Sequence, residues 1–139
     1  MHSLEMSIPK LDRKTKEQLA ALVTEAFVSS TPFPAEIFEI RFFECSSCEA
    51  AIGGKLVDHN QHPYIHFVLY CPRIKRTAKQ KLVVSMTEAF AKATARPDWK
   101  PIIHISEHPY DNVGIEGKLL SDAYEECAKR SFYYELPKD

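Results

Sequence analysis

Neither sign of charge is in surplus: 18 Lys and Arg stand against 19 Asp and Glu, a formal net charge of -1. That balance leaves nothing to hold a polyanion, which excludes nucleic acid and an anionic membrane surface as principal partners. No run of about 18 apolar residues occurs, and the opening MHSLEMSIPKLDRK lacks the apolar segment of a signal peptide. A soluble, cytoplasmic protein is the expectation. The four cysteines Cys45, Cys48, Cys71 and Cys127 include one C-x-x-C, but no second pair and no H-x-x-x-H completes a zinc set. Free thiols and no metal are expected. What is present is 139 residues, 45% hydrophobic and 27% charged, enough for one domain with a core of its own.

Sliding residues 9–56 by 63 positions onto 72–119 shows an internal repeat without a gap: 16 of the 48 pairs are identical. Background composition gives roughly three. The identities include Pro9/Pro72, Arg13/Arg76, Lys16/Lys79, Leu19/Leu82, Thr24-Glu25-Ala26-Phe27 over Thr87-Glu88-Ala89-Phe90, Pro34/Pro97, Ile40/Ile103 and Glu44/Glu107. Ile52, Gly54, Lys55 and Leu56 likewise repeat as Ile115, Gly117, Lys118 and Leu119.

Each copy carries the same local signals. Leu4, Met6 and Ile8 alternate as a half-buried strand does, and so do Ile65, Phe67 and Leu69. Pro9 and Pro72 stop the ladder because proline donates no hydrogen bond. After Thr15 or Thr77 as N-cap, Leu19, Leu22, Val23, Ala26 and Phe27 form a helical apolar stripe, repeated by Leu82, Met86, Ala89, Phe90 and Ala93. Prolines break both helices, and Glu36–Glu44 and Ile102–Ser106 are β-rich. The expected class is α/β (α+β): duplicated β-α-β units, each closed by a Gly-containing hairpin, giving a four-stranded sheet with two helices on one face. We expect residues 1–139 to form a single domain of two fused units, about 1–60 and 63–120. A C-terminal tail, 121–139, follows, with a short helical signal and Phe132-Tyr133-Tyr134, expected to pack on a neighbouring subunit.

Ferredoxin-like domains share this order of elements, so residues must decide function. An RNA-binding sheet requires a basic surround and a Lys/Arg-Gly-Phe run, and neither is present. The succession Thr15-x-x-Gln18-Leu19-Ala20-x-Leu22-Val23-Thr24-Glu25-Ala26-Phe27, then 34–44, then Ala51-Ile52-Gly53-Gly54-Lys55-Leu56 resembles the tautomerase superfamily. The fused pair of units is similar to the cis-3-chloroacrylic acid dehalogenase-like group and related oxalocrotonate tautomerases. The resemblance covers the chain to about Leu120 and implies a tautomerase/MIF-like fold, a homotrimer, and chemistry without metal or cofactor.

It also implies site residues. Arg73 and Arg76 match an arginine pair, separated by two residues, that binds the carboxylate of a small substrate; guanidinium suits that task because its planar donors stay charged. Without the resemblance they are a solvated basic turn. Glu116 stands where the first copy has Gly53, at the group's acidic or amide position that activates water or steadies the substrate; its bland alternative is a surface carboxylate on a turn. His104 takes the place of an active-site tyrosine, though a lone strand histidine is commonly structural. The family's N-terminal proline base falls at about Met1, whose primary amine would have to serve, and no proline precedes Pro9. Its helix-one histidine falls on Phe27, a core position.

Two functions remain open. One is an enzyme passing a proton, or adding water or removing halide, on a small 2-oxo or unsaturated carboxylic acid. The other is a catalytically silent binding or structural protein on the same fold.

Overall fold

The computed structural model describes residues 2–123. Strand β1 (His2–Pro9) leads into helix α1 (Arg13–Ser30), and a 3-10 turn at Ala35–Ile37 leads into β2 (Phe38–Cys45). A short hairpin, β3 (Ala51–Ile52) and β4 (Lys55–Leu56), closes the first copy. The second repeats the order with β5 (His66–Cys71), α2 (Arg76–Thr94), β6 (Ile102–Glu107), a 3-10 turn at Tyr110–Asn112, and the hairpin β7 (Gly114–Ile115) and β8 (Lys118–Leu119). A last turn of helix, α3, spans Leu120–Ala123. The expected packing of the tail beyond it lies outside the described residues.

The main sheet runs β2-β1-β5-β6. Each crossover pair is parallel, β1 with β2 and β5 with β6, as a strand-helix-strand unit demands. The copies join through the antiparallel pair β1 and β5, in which Ser3 faces Tyr70 and Ser7 faces His66. The N-terminal end of β1 therefore lies beside the C-terminal end of β5. The expected four-stranded, two-helix architecture is present.

Alternation along the strands separates two faces. Leu4, Met6, Ile8, Phe67 and Leu69 are inaccessible to solvent and meet Leu19, Val23 and Phe27 of α1 and Leu82, Met86 and Phe90 of α2. Ser3, Glu5, Ser7, His66, Val68 and Tyr70 fall on the opposite, half-buried face. One local expectation needs correcting. Neither Thr15 nor Thr77 caps a helix: Asp12 caps α1, its Oδ1 accepting from the Thr15 amide at 2.7 Å, and α2 starts after Lys75 without a side-chain cap. Asp12 lies before the first helical residue, where the cap's extended backbone is required, whereas Thr15 and Thr77 already lie within the helices.

Candidate active site

Arg73 leaves β5 two residues beyond Cys71, half-buried, and Arg76 is the exposed first residue of α2. The loop between them is pinned. One oxygen of Glu107, at the end of β6, accepts from the Ile74 amide at 2.8 Å, and the other takes the Lys79 ammonium at 2.6 Å. The first copy repeats this clamp: Glu44 accepts from the Leu11 amide at 2.8 Å and from Lys16 at 2.8 Å. Lys16 and the bonded Leu11 amide hold the Glu44 carboxyl below its ordinary range. The identities Lys16/Lys79 and Glu44/Glu107 in the repeat are the sequence trace of these two clamps.

His104 and Glu116 sit on other elements than Arg73. His104 is exposed on the sheet face away from the helices, level with Val68, and so about 7 Å short of the Tyr70 row at the usual strand rise. Its ring meets His66 edge-on, centroids 4.6 Å apart. Burial, with a smaller contribution from the nearby His104, lowers the His66 pKa. Glu116 is exposed at the tip of the β7–β8 hairpin in a left-handed conformation, φ 50°. That hairpin pairs only with itself among the described residues. Met1 lies outside the described residues. Phe27, where the resembling group has a histidine, stacks on Phe38 at 4.1 Å and 7° in the core.

A second set of polar groups, not anticipated from sequence, gathers at the Arg73 end of the sheet. The His108 amide donates to the Cys71 carbonyl at 2.8 Å, which fixes His108 beside the end of β5. Its ring stacks on Tyr70, centroids 5.8 Å apart, and its Nε2 lies 3.2 Å from Ser106 Oγ. The Tyr70 hydroxyl in turn reaches Glu5 Oε2 at 3.4 Å. All four residues are half-buried. The available signal was another difference between the copies, because His108 stands where the first copy has Cys45.

Three further features bound the chemistry. Cys71 is buried, and burial together with the Glu107 charge pushes its thiol up to about 12, which makes it inert as a nucleophile near neutrality. Cys45 Sγ lies 3.8 Å from His59 Nε2, but no three His, Cys, Asp or Glu side chains converge on a metal-sized space among the described residues. A cavity of about 570 Å³ opens at the other end of the sheet, between Leu56, Ile65 and Lys100, and no expected site residue lines it. No described helix is long and apolar enough to cross a membrane.

No family model and no curated protein matches the sequence. Solved structures do match in fold. A native fused 4-OT superposes with a TM-score of 0.77 at 23% identity, over 86% of this chain and 97% of its own. Pt0534 inactivated by 2-oxo-3-pentynoate gives 0.74 at 18%, over 87% and 97%. N1, a member of the cis-3-chloroacrylic acid dehalogenase family, gives 0.68 at 17%, over 84% and 82%. These neighbours are tautomerase-superfamily proteins, and the chain shares their fold.

Proposed function

We propose that the protein is a tautomerase-type enzyme acting on a small 2-oxo or unsaturated carboxylic acid by proton transfer, or by hydration or dehalogenation, with Arg73 and Arg76 holding the carboxylate. The observation that carries this reading is the clamped loop. Glu107 and Lys79 fix the segment bearing Arg73 at the sheet end where β1 begins, inside a fold shared with fused 4-OT and cis-3-chloroacrylic acid dehalogenase family structures. A planar guanidinium on a fixed loop pairs bidentately with a carboxylate at low entropic cost.

His104, level with Val68 and away from the Arg73 end in its own protomer, reaches the same site only if a second copy supplies it, and Glu116 reaches it from the β7–β8 hairpin. We therefore place the site between copies of a homotrimer, each copy a single two-unit domain. The hairpins support this arrangement: Ile52, Leu56 and Leu119 are 54, 67 and 43% exposed, a costly display for an isolated chain. Ile102 at the β6 edge and Val84 on α2 are exposed apolar residues as well. Fused 4-OT structures of this fold are described as trimers. A cytoplasmic setting with reduced thiols agrees with the free Cys45, Cys48 and Cys71.

The test is ketonisation of phenylenolpyruvate, with binding of phenylpyruvate measured in parallel by calorimetry. Arg73→Ala and Arg76→Ala should each weaken binding by tenfold or more without unfolding the chain. Binding that persists in both variants removes the carboxylate clamp. One observation favours the silent alternative: Phe27 is wholly committed to core stacking, so helix α1 offers the site no imidazole. Carboxylate binding without turnover is the result that would establish a binding protein.

A further inference from the structure

We propose that His108 is the proton-transferring residue of this site. The inference rests on the preceding reading for its substrate, and on geometry for its residue. Proton transfer beside a bound carboxylate needs a group that titrates near neutrality, is fixed in orientation and is not sealed in the core. Phe27 carries no titratable group, and His104 is two rows down the strand pair. His108 carries an imidazole, is fixed in orientation and is half-buried, at the Arg73 end of the sheet.

Its backbone is tied to Cys71, two residues before Arg73, by the 2.8 Å bond from its amide. Its ring is held flat against Tyr70, with an interplanar angle of 23°, and Ser106 Oγ engages Nε2 at 3.2 Å. The serine hydroxyl can donate or accept; when it accepts from Nε2–H, the imidazole is neutral and Nδ1 keeps the lone pair that can take a proton from the substrate. The charged and titratable groups around the ring are Tyr70 from β5, with Glu5 of β1 behind its hydroxyl, and the preceding Glu107 of β6, which is neutralised by Lys79 of α2. Arg73 follows on the β5 loop.

The step balances without a co-reactant. In a 2-hydroxy-2-alkenoate held by Arg73, the imidazole takes the enol hydroxyl proton as the carbon–oxygen bond becomes a carbonyl, and it delivers a proton to C3 as the C2=C3 bond is lost. One O–H breaks, one C–H forms, and the neutral imidazole is restored. The arginine neutralises the carboxylate throughout, and the Tyr70 ring and the Ser106 hydroxyl keep the imidazole from turning away.

Three measurements on the full chain decide it. His108→Asn should lower kcat for phenylenolpyruvate by about 100-fold or more with KM within threefold, and should remove the ionisation near neutrality from the pH profile of kcat. In wild-type protein, NMR titration of the His108 ring should show its pKa raised by about half a unit or more when phenylpyruvate is bound, because the carboxylate stabilises the imidazolium. That shift should be absent in Arg73→Ala at the same phenylpyruvate concentration. An unchanged pH profile in His108→Asn, or phenylpyruvate bound without disturbing the His108 ring, overturns the inference while the arginine clamp stands. Loss of His108-dependent turnover with binding insensitive to Arg73 and Arg76 supports His108 and overturns the clamp. Absence of turnover in wild type overturns both His108 and the enzyme reading.

Discussion

Replacing His2 with phenylalanine should make the fold more stable and flatten its response to acid. His2 opens β1 and is 1% exposed, with its ring 4.1 Å from Phe33 and 5.5 Å from Phe27. Neither ring nitrogen makes a hydrogen bond among the described residues. Burial, with a further push from the N-terminal charge, pulls its pKa from 6.5 to about 4, against an opposing pull from the Ile37 backbone, whose contact falls short of hydrogen-bond geometry. The folded chain thus keeps this imidazole neutral down to about pH 4, whereas the unfolded chain protonates it at about 6.5. Between those values the unfolded state binds more protons, so His2's contribution is fully present above pH 6.5 and is lost as pH falls toward 4. Integrating at 1.36 kcal/mol per pH unit, wild type should lose roughly 2 kcal/mol more than His2→Phe between pH 7 and pH 4.5. At pH 7 the variant should gain a further 1–3 kcal/mol or so, the cost of two buried, unbonded polar nitrogens. Urea unfolding of both proteins at the two pH values measures this directly. The remaining titratable groups are common to the two chains and cancel in the difference. Parallel acid responses, or an NMR titration placing His2 near 6.5 in the fold, would refute the argument.

The duplicated clamp supplies an internal control. Glu107→Gln and Glu44→Gln should each cost on the order of 1 kcal/mol in urea unfolding, since each weakens an equivalent pair of bonds. Only Glu107→Gln should weaken phenylpyruvate binding, by severalfold. Glu116→Gly should raise stability by a few tenths to 1 kcal/mol, because the residue sits at φ 50°, where glycine carries no side-chain penalty. Leu4→Ala, at a position of zero exposure between the sheet and both helices, should cost about 2–5 kcal/mol. Iodoacetamide under native conditions should modify the exposed Cys48 and leave Cys71 intact until the chain unfolds, as read by mass spectrometry.

The sequence by itself determined the repeat and the strand-helix-strand order, because each rests on local periodicity. Leu4, Met6 and Ile8 can share a face only in a strand, and Leu19, Val23 and Phe27 only on a helix. It also determined which face of each element is core, and marked Arg73 as a fixed distance along the chain from Arg76. Tertiary structure decided what depends on register between distant segments. The antiparallel pairing of β1 with β5 brings Ser3 to Tyr70 across 67 positions, and no local signal encodes it. The same pairing, with β6 on the far side, assembles Glu5, Tyr70, Ser106 and His108 and leaves His104 two rows away. His2 shows the difference in one residue. The alternation of Leu4, Met6 and Ile8 extends back to position 2 and carries its direction, but its cost was not legible, since that comes from Phe27 and Phe33 packing on a ring that water would otherwise bond.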